Sequence, residues 1–205
     1  MTTWTNETKN SADPAVAGTS ANTDATSPQT ASNDDSVGTV AWNNPDNIKT
    51  SDSTYSISST IPPGINVISN YLKASNFGFA IPTGATINGI KVEFNKEKFT
   101  GSSDVKDTEV KIVKGGAIGS TNKAETTTDW SESFSYVDYG GTTDLWGETW
   151  TAEQINASNF GVVIAANLKI TGAPFLVGAY VDHIRITVYY TTAGTPATWT
   201  NKSSN

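Results

Sequence analysis

Short runs in which apolar and polar residues alternate, each closed by glycine or proline, recur along this chain and leave it few folds to choose from. Ile90, Val92 and Phe94 alternate with Lys91, Glu93 and Asn95; Val110 and Ile112 alternate with Glu109 and Lys111 before Gly115-Gly116; Ile184, Ile186 and Val188 stand opposite His183, Arg185 and Thr187. Phe77, Phe79 and Ile81 form a stripe stopped by Pro82-Thr83-Gly84, Phe134, Tyr136 and Tyr139 precede Gly140-Gly141, and Tyr55 with Ile57 and Val162 with Ile164 repeat the pattern. A period of two sends successive side chains to opposite faces, so each run reads as a strand with one buried and one wet side. Many such strands between Gly and Pro turns predict an all-β chain, an antiparallel two-sheet β-sandwich of jelly-roll type. One short connector helix is expected after Trp150, because Thr151 and Gln154 have the spacing of a capping box.

Composition narrows the function. The hydrophobic fraction is 36% and the charged fraction 16% of 205 residues, with Thr, Ser, Asn and Gly making up the difference, a mixture suited to strands and turns. A net charge of −7 argues against a general grip on nucleic acid, which needs clustered cations. The basic stretch Lys91 to Lys98 alternates with Glu93 and Glu97 and reads as a solvated strand face. Val162 to Ala166, among the longest apolar runs, is far too short to span a bilayer, so no membrane partner is expected. The chain has no cysteine, which removes disulfides and thiolate sites. Met1 to Asn6 has neither a basic leader nor an apolar stretch, so no secretory signal is expected. A polar surface without an export signal points to a virus particle, built in the cytoplasm and exposed after lysis.

Residues 1–36 are expected to form an extended arm, since Ala12 to Ser36 has almost no large apolar residue with which to offset its ordering entropy. The sandwich is then 37–192, and 193–205 a tail. Thr3-Trp4-Thr5-Asn6 near one end matches Thr198-Trp199-Thr200-Asn201 near the other. In each tag a single Trp is the apolar residue, so order would come from adding a strand to a neighbour's sheet edge with the indole in a pocket. Trp4 and Trp199 are therefore the expected assembly anchors, with neighbouring copies and other virion proteins as partners.

Chemistry-bearing residues are sparse. His183 with Asp182 and a serine would suggest a triad, but it lies on the polar side of an alternating run and no Gly-x-Ser-x-Gly elbow is present. Glu93/Glu97, Asp104/Asp107 and Glu148/Glu153 are carboxylate pairs in polar surroundings, with no apolar setting to raise one pKa for acid catalysis. No enzyme is expected, no catalytic residue is named and no cofactor is implied. Asp104, Asp107 and Glu109 are oxygen donors for a structural calcium, without the spacing of an EF-hand. Trp146 and Trp150, in Trp-Gly-Glu-Thr-Trp, are the candidates for stacking on a cell-surface glycan, set against a role as core plugs.

Several segments together carry a resemblance: Gly38-Thr39-Val40-Ala41-Trp42-Asn43-Asn44-Pro45, Ser69 to Phe79, Ile81-Pro82-Thr83-Gly84-Ala85-Thr86-Ile87-Asn88-Gly89-Ile90-Lys91-Val92-Glu93, Val113 to Gly116, Tyr139-Gly140-Gly141 with Asp144 to Gly147, and Val181 to Tyr190. Over roughly Val37 to Thr192 the chain resembles a family of largely uncharacterised β-sandwich proteins of tailed-phage virions, and its tags resemble Trp-Thr-Asn repeats of phage structural proteins. The resemblance implies a component of the capsid, neck, tail or fibre, and carries no ligand or catalytic residue with it. The alternatives are a carbohydrate-binding adhesin or receptor-binding module, and a subunit of a bacterial surface filament.

Overall fold

The alternating runs become strands in the computed structural model of the chain, which describes residues 11–12, 15–60, 66–99, 103–172, 177–196 and 199–200. In chain order the strands are β1 (Ser11–Ala12), β2 (Ser20–Asn22), β3 (Thr30–Asp34), β4 (Ser56–Thr60), β5 (Asn66–Ile68), β6 (Tyr71–Ser75), β7 (Thr86–Lys98), β8 (Ser103–Lys114), β9 (Ala117–Ile118), β10 (Ser135–Gly140), β11 (Gly161–Ile170), β12 (Val177–Thr191) and β13 (Trp199–Thr200). A 3-10 turn occupies Pro45–Lys49, and helix α1 spans Ala152–Asn156 with the capping box formed by Thr151 and Gln154.

One sheet has the order β10-β7-β12-β2, with β4 also on β12; the other has β3-β6-β11-β8-β9, with β5 also on β11. All these pairings are antiparallel. From β2 to β12 the chain passes back and forth between the sheets, each carrying half of the core, which is the jelly-roll way of closing a sandwich. Ile90, Val92 and Phe94 of β7 and Ile184, Ile186 and Val188 of β12 face Leu72, Val110, Ile112, Val162 and Ile164 of the opposite sheet, all in one buried cluster. Phe77, Phe79 and Phe160 fill one end, with Phe77 and Phe79 stacked at 5.8 Å and Phe160 edge-on to both.

The first 36 residues differ from the free arm expected of their composition. β2 pairs with β12 and β3 pairs with β6, so both lie on this chain's own sheets. Asn33 Oδ1 accepts from the Trp42 backbone N–H at 2.8 Å, and Thr26 bridges Ile186. Backbone hydrogen bonds to two strands, with few apolar contacts of its own, hold this polar segment in place. The described segments that flank the sandwich also meet. Asn22 stands opposite Tyr189, Val16 opposite Thr195 and Ser11 opposite Thr200 in one register, so the segments flanking the sandwich leave it as a two-stranded ribbon. Trp4 lies outside the described residues, and of Trp199 only the backbone is described, paired with Ala12.

The stretch from Lys91 to Lys98 also departs from its expected solvated face. Lys96 has the inward parity of Ile90, Val92 and Phe94, and its side chain is 5% exposed. Asp107 of β8 shares the inward side of its strand with Val105, Val110 and Ile112, and its side chain is 1% exposed.

Candidate functional site

The outer face of the β10-β7-β12 sheet brings together most of the polar chemistry of the fold. Residues directly opposite in antiparallel strands share a face, so the register sorts the side chains into cross-strand rows. Ile57, Tyr180 and Glu97 form one row, Tyr136, Asn95 and His183 the next, Asp138, Glu93 and Arg185 the third, and Lys91 and Thr187 the fourth. Tyr55 and Phe134 close the first row: Tyr55 lies edge-on to Tyr180 at 5.1 Å and tilted against Phe134 at 5.6 Å. Tyr55, Phe134, Tyr136 and Tyr180 are all half-buried.

The middle rows are tightly coupled. The Arg185 guanidinium donates to Glu93 Oε1 at 2.8 Å and lies 3.9 Å from the Tyr136 ring centre, a cation over a π-face. Lys91 reaches Glu93 Oε2 at 3.1 Å and Asp138 at 3.6 Å. Burial pushes the Glu93 carboxyl up, but the hydrogen bonds and charges of Arg185 and Lys91 outweigh it and hold the group below its ordinary value. The same Glu93 bond raises Arg185. Burial pushes Glu97, which has no cation paired with it among the described residues, upward.

His183 sits in the second row, on the outer face its alternation predicted, but at 7% exposed it is covered and not wet. A register shift between Val181 and His183 interrupts the alternation at Asp182, which is also buried, at 3% exposed. Ser27 Oγ lies 2.8 Å from His183 Nε2, and Tyr136 Oη 2.7 Å from Nδ1. Burial first and the Arg185 charge second push the imidazole below its ordinary pKa. Asp182 does not complete a triad: its Oδ2 accepts from Asn95 and Ser51 instead, leaving Nδ1 facing a phenol. Beneath this face Asp182 Oδ1 and Arg185 Nε are buried with no partner among the described protein atoms.

The tryptophans singled out for sugar stacking stand elsewhere. Trp146 is 0% exposed and donates from Nε1 to the Ile90 carbonyl at 2.9 Å, so its ring is a core plug closed to any ligand. Trp150 is half-buried, donates to the Leu145 carbonyl and packs edge-on against Phe160 at 5.4 Å. The two indoles offer no common flat surface, because the Trp146 ring is wholly buried.

A second polar cluster lies inside the sandwich. Lys96 Nζ is 2.5 Å from Asp107 Oδ1 and 2.6 Å from Tyr139 Oη, and Tyr139 in turn donates to Asp107 Oδ2 at 2.5 Å. Trp130 Nε1 and the Glu125 backbone N–H donate to the same carboxylate at 2.8 and 3.1 Å. A cavity of about 220 Å³ opens beside it, lined by Glu125, Thr128, Ser131 and Val137 among others. Among the described residues no three His, Asp or Glu side chains converge as a metal site, and Asp104 is drawn to Lys169 on the opposite face from Asp107. No helix described is long and apolar enough to cross a membrane.

Compared with known proteins, the chain matches no family model and no curated protein. A solved structure described as "CBM4 structure and function" overlays on it with a TM-score of 0.35 and 15% identity, covering 67% of this chain and 85% of that one, a likeness too loose to bear on function.

Proposed function

We propose that this chain is a non-catalytic recognition module that binds a saccharide across the outer face of its β10-β7-β12 sheet. The observation that carries this reading is the interleaving on that face of half-buried rings, Tyr55, Phe134, Tyr136 and Tyr180, with accessible planar polar groups, Glu97, Asp138 and Arg185, held over the buried Glu93 and Asn95. Sugar rings present an apolar C–H face to an aromatic and an edge of hydroxyls to fork-shaped donors and acceptors, which is the pairing these rows supply. An apolar protein partner would want a continuous patch, and ion pairs break this one up. Binding of oligosaccharides on a glycan array, lost on Tyr136→Ala and Tyr180→Ala, is the expected result; an array without hits for the folded protein overturns the reading.

A second reading, a structural protein of a phage virion assembled by strand addition, is favoured by the terminal ribbon. Each of its strands spends one edge on the other, and no further strand among the described residues pairs with β1 or β13. Val16, 62% exposed, sits on it as an uncovered apolar side chain. Unpaired edges of this kind accept strands from neighbours. Removing 1–12 and 199–205 should abolish incorporation into particles if this reading holds, and unchanged incorporation counts against it.

A further inference from the structure

We propose that Lys96 and Asp107 condense to an intramolecular amide, a covalent staple between the two sheets of the sandwich. Lys96 projects inward from β7 in one sheet and Asp107 from β8 in the other, and they meet at 2.5 Å in the interior. A bond there would hold the sheets together in a chain with no cysteine for a disulfide.

The surroundings supply what the condensation needs. A buried ammonium-carboxylate pair keeps a desolvation cost that its Coulombic attraction only partly offsets, and conversion to a neutral amide removes both charges. Burial pushes the Lys96 ammonium toward the free amine, the nucleophilic form, against the opposing pull of Asp107. Held side chains also replace a bimolecular encounter with an intramolecular one, worth effective molarities of about 10⁵ M or more in aligned systems. Trp130, whose ring lies 4.4 Å from Nζ, covers one side of the pair and donates its N–H to Oδ1.

The step balances without any co-reactant. One ammonium proton first passes to Oδ2 through the Tyr139 hydroxyl; the Lys96 amine so freed attacks Cγ of the neutral Asp107 carboxyl, and charge building on Oδ1 is held by the Trp130 N–H. The second proton then leaves Nζ for Oδ2 by the same route, the Tyr139 hydroxyl accepting from Nζ and donating to Oδ2. Burial and the Asp107 charge push the Tyr139 phenol up, so it passes protons on without ionising. The Cγ–Oδ2 bond then breaks, Oδ2 departs as water into the adjoining cavity, and Nζ keeps one hydrogen as the amide N–H. Tyr139 Oη and Trp130 Nε1 remain in place to bond the new N–H and C=O.

Intact mass of the full chain under denaturing conditions tests this directly. The expected mass is about 18 Da, one water, below that of the sequence, with a branched fragment joining the peptides of Lys96 and Asp107. Lys96→Arg and Asp107→Ala should each restore the full mass, and Tyr139→Phe should slow the loss of water without displacing the ring. A wild-type chain that keeps its full mass after purification and prolonged incubation overturns the proposal. So does a deficit that persists in Lys96→Arg, which would mark dehydration at another site.

Discussion

Ser27 and His183, 156 positions apart in the chain, meet at 2.8 Å and tie the polar N-terminal segment to the outer face of the sheet. The contact buries an imidazole that is easier to keep neutral than charged. Its folded pKa is depressed, first by burial and then by Arg185, below the ordinary 6.5 that it regains on unfolding. In the acid range the unfolded chain therefore binds more protons, so stability should fall as pH drops below about 6.5, by at most about 1.4 kcal/mol per pH unit for this one group. Glu97, raised by burial, works in the opposite sense as its carboxyl titrates. Thermal melts between pH 7 and pH 5 should show the loss in wild type and a smaller slope in His183→Gln; equal slopes would refute this account.

Trp146 supports the core and Tyr136 the face, and truncation should separate them. Trp146→Ala empties a fully buried site and should lower stability by about 3–5 kcal/mol. Tyr136→Ala removes a half-buried ring and the partner of His183 Nδ1, and should cost about 1–2 kcal/mol. Chemical denaturation measures both, and a milder loss for Trp146→Ala than for Tyr136→Ala would contradict the assignment.

The strands and their inward faces were legible because period-two alternation survives in β7, β8 and β12 almost end to end. The same parity pointed at Lys96, in step with Ile90, Val92 and Phe94, but neighbouring Lys91, Glu93 and Glu97 masked it as one charged run. Only the pairing of sheets shows that its counter-ion comes from the other layer. The polar outer face of the sheet was harder to see for a related reason: Glu93, Asn95, Tyr136, Tyr180 and Arg185 are ordinary polar positions until the register of three strands lines them up. The N-terminal segment misled by composition, since a few backbone ladders and the Asn33 cap on Trp42 need no apolar side chains.

That segment changes what truncation should do. Removing residues 1–12 takes away β1 and no strand of the two large sheets, and the sandwich should still melt cooperatively. Removing 1–36 also strips β2, β3, the Ser27 contact and the Asn33 bond, exposing edges of both sheets. Asn33→Ala isolates one part: the Trp42 backbone N–H loses its partner, at a cost of about 1–3 kcal/mol. Melting temperatures of the three variants give the order, and full stability of the 1–36 deletion would mean these strands contribute nothing.

Gly140 should resist substitution at the turn that closes β10. Its φ is +75°, and an added Cβ would lie 2.3 Å from the Ile90 carbonyl oxygen and 2.7 Å from Trp146 Nε1. Those are the two atoms that hydrogen-bond each other to anchor the indole. Gly140→Ala therefore adds left-handed strain of about 1–2 kcal/mol to a clash that drives the tryptophan off its acceptor. Gly141, with no atom near its absent side chain, should tolerate alanine far better, and equal losses at the two positions in denaturant titrations would disprove this reading.

The interior pair should respond asymmetrically to removal of either partner. Lys96→Met takes away one charge but leaves Asp107 with hydrogen bonds from Trp130, Tyr139 and the Glu125 backbone, enough to stabilise a carboxylate in place. Asp107→Leu instead orphans all three donors and strands a buried ammonium, with only ring faces and the Tyr139 hydroxyl beside it. The second change should therefore cost about 3–5 kcal/mol and the first distinctly less. Both variants lack the amide by construction, so the difference between them reports the polar network alone. Denaturant midpoints of the two proteins measure it; a greater loss in Lys96→Met would mean that the lysine, and not the donors around Asp107, organises this part of the core.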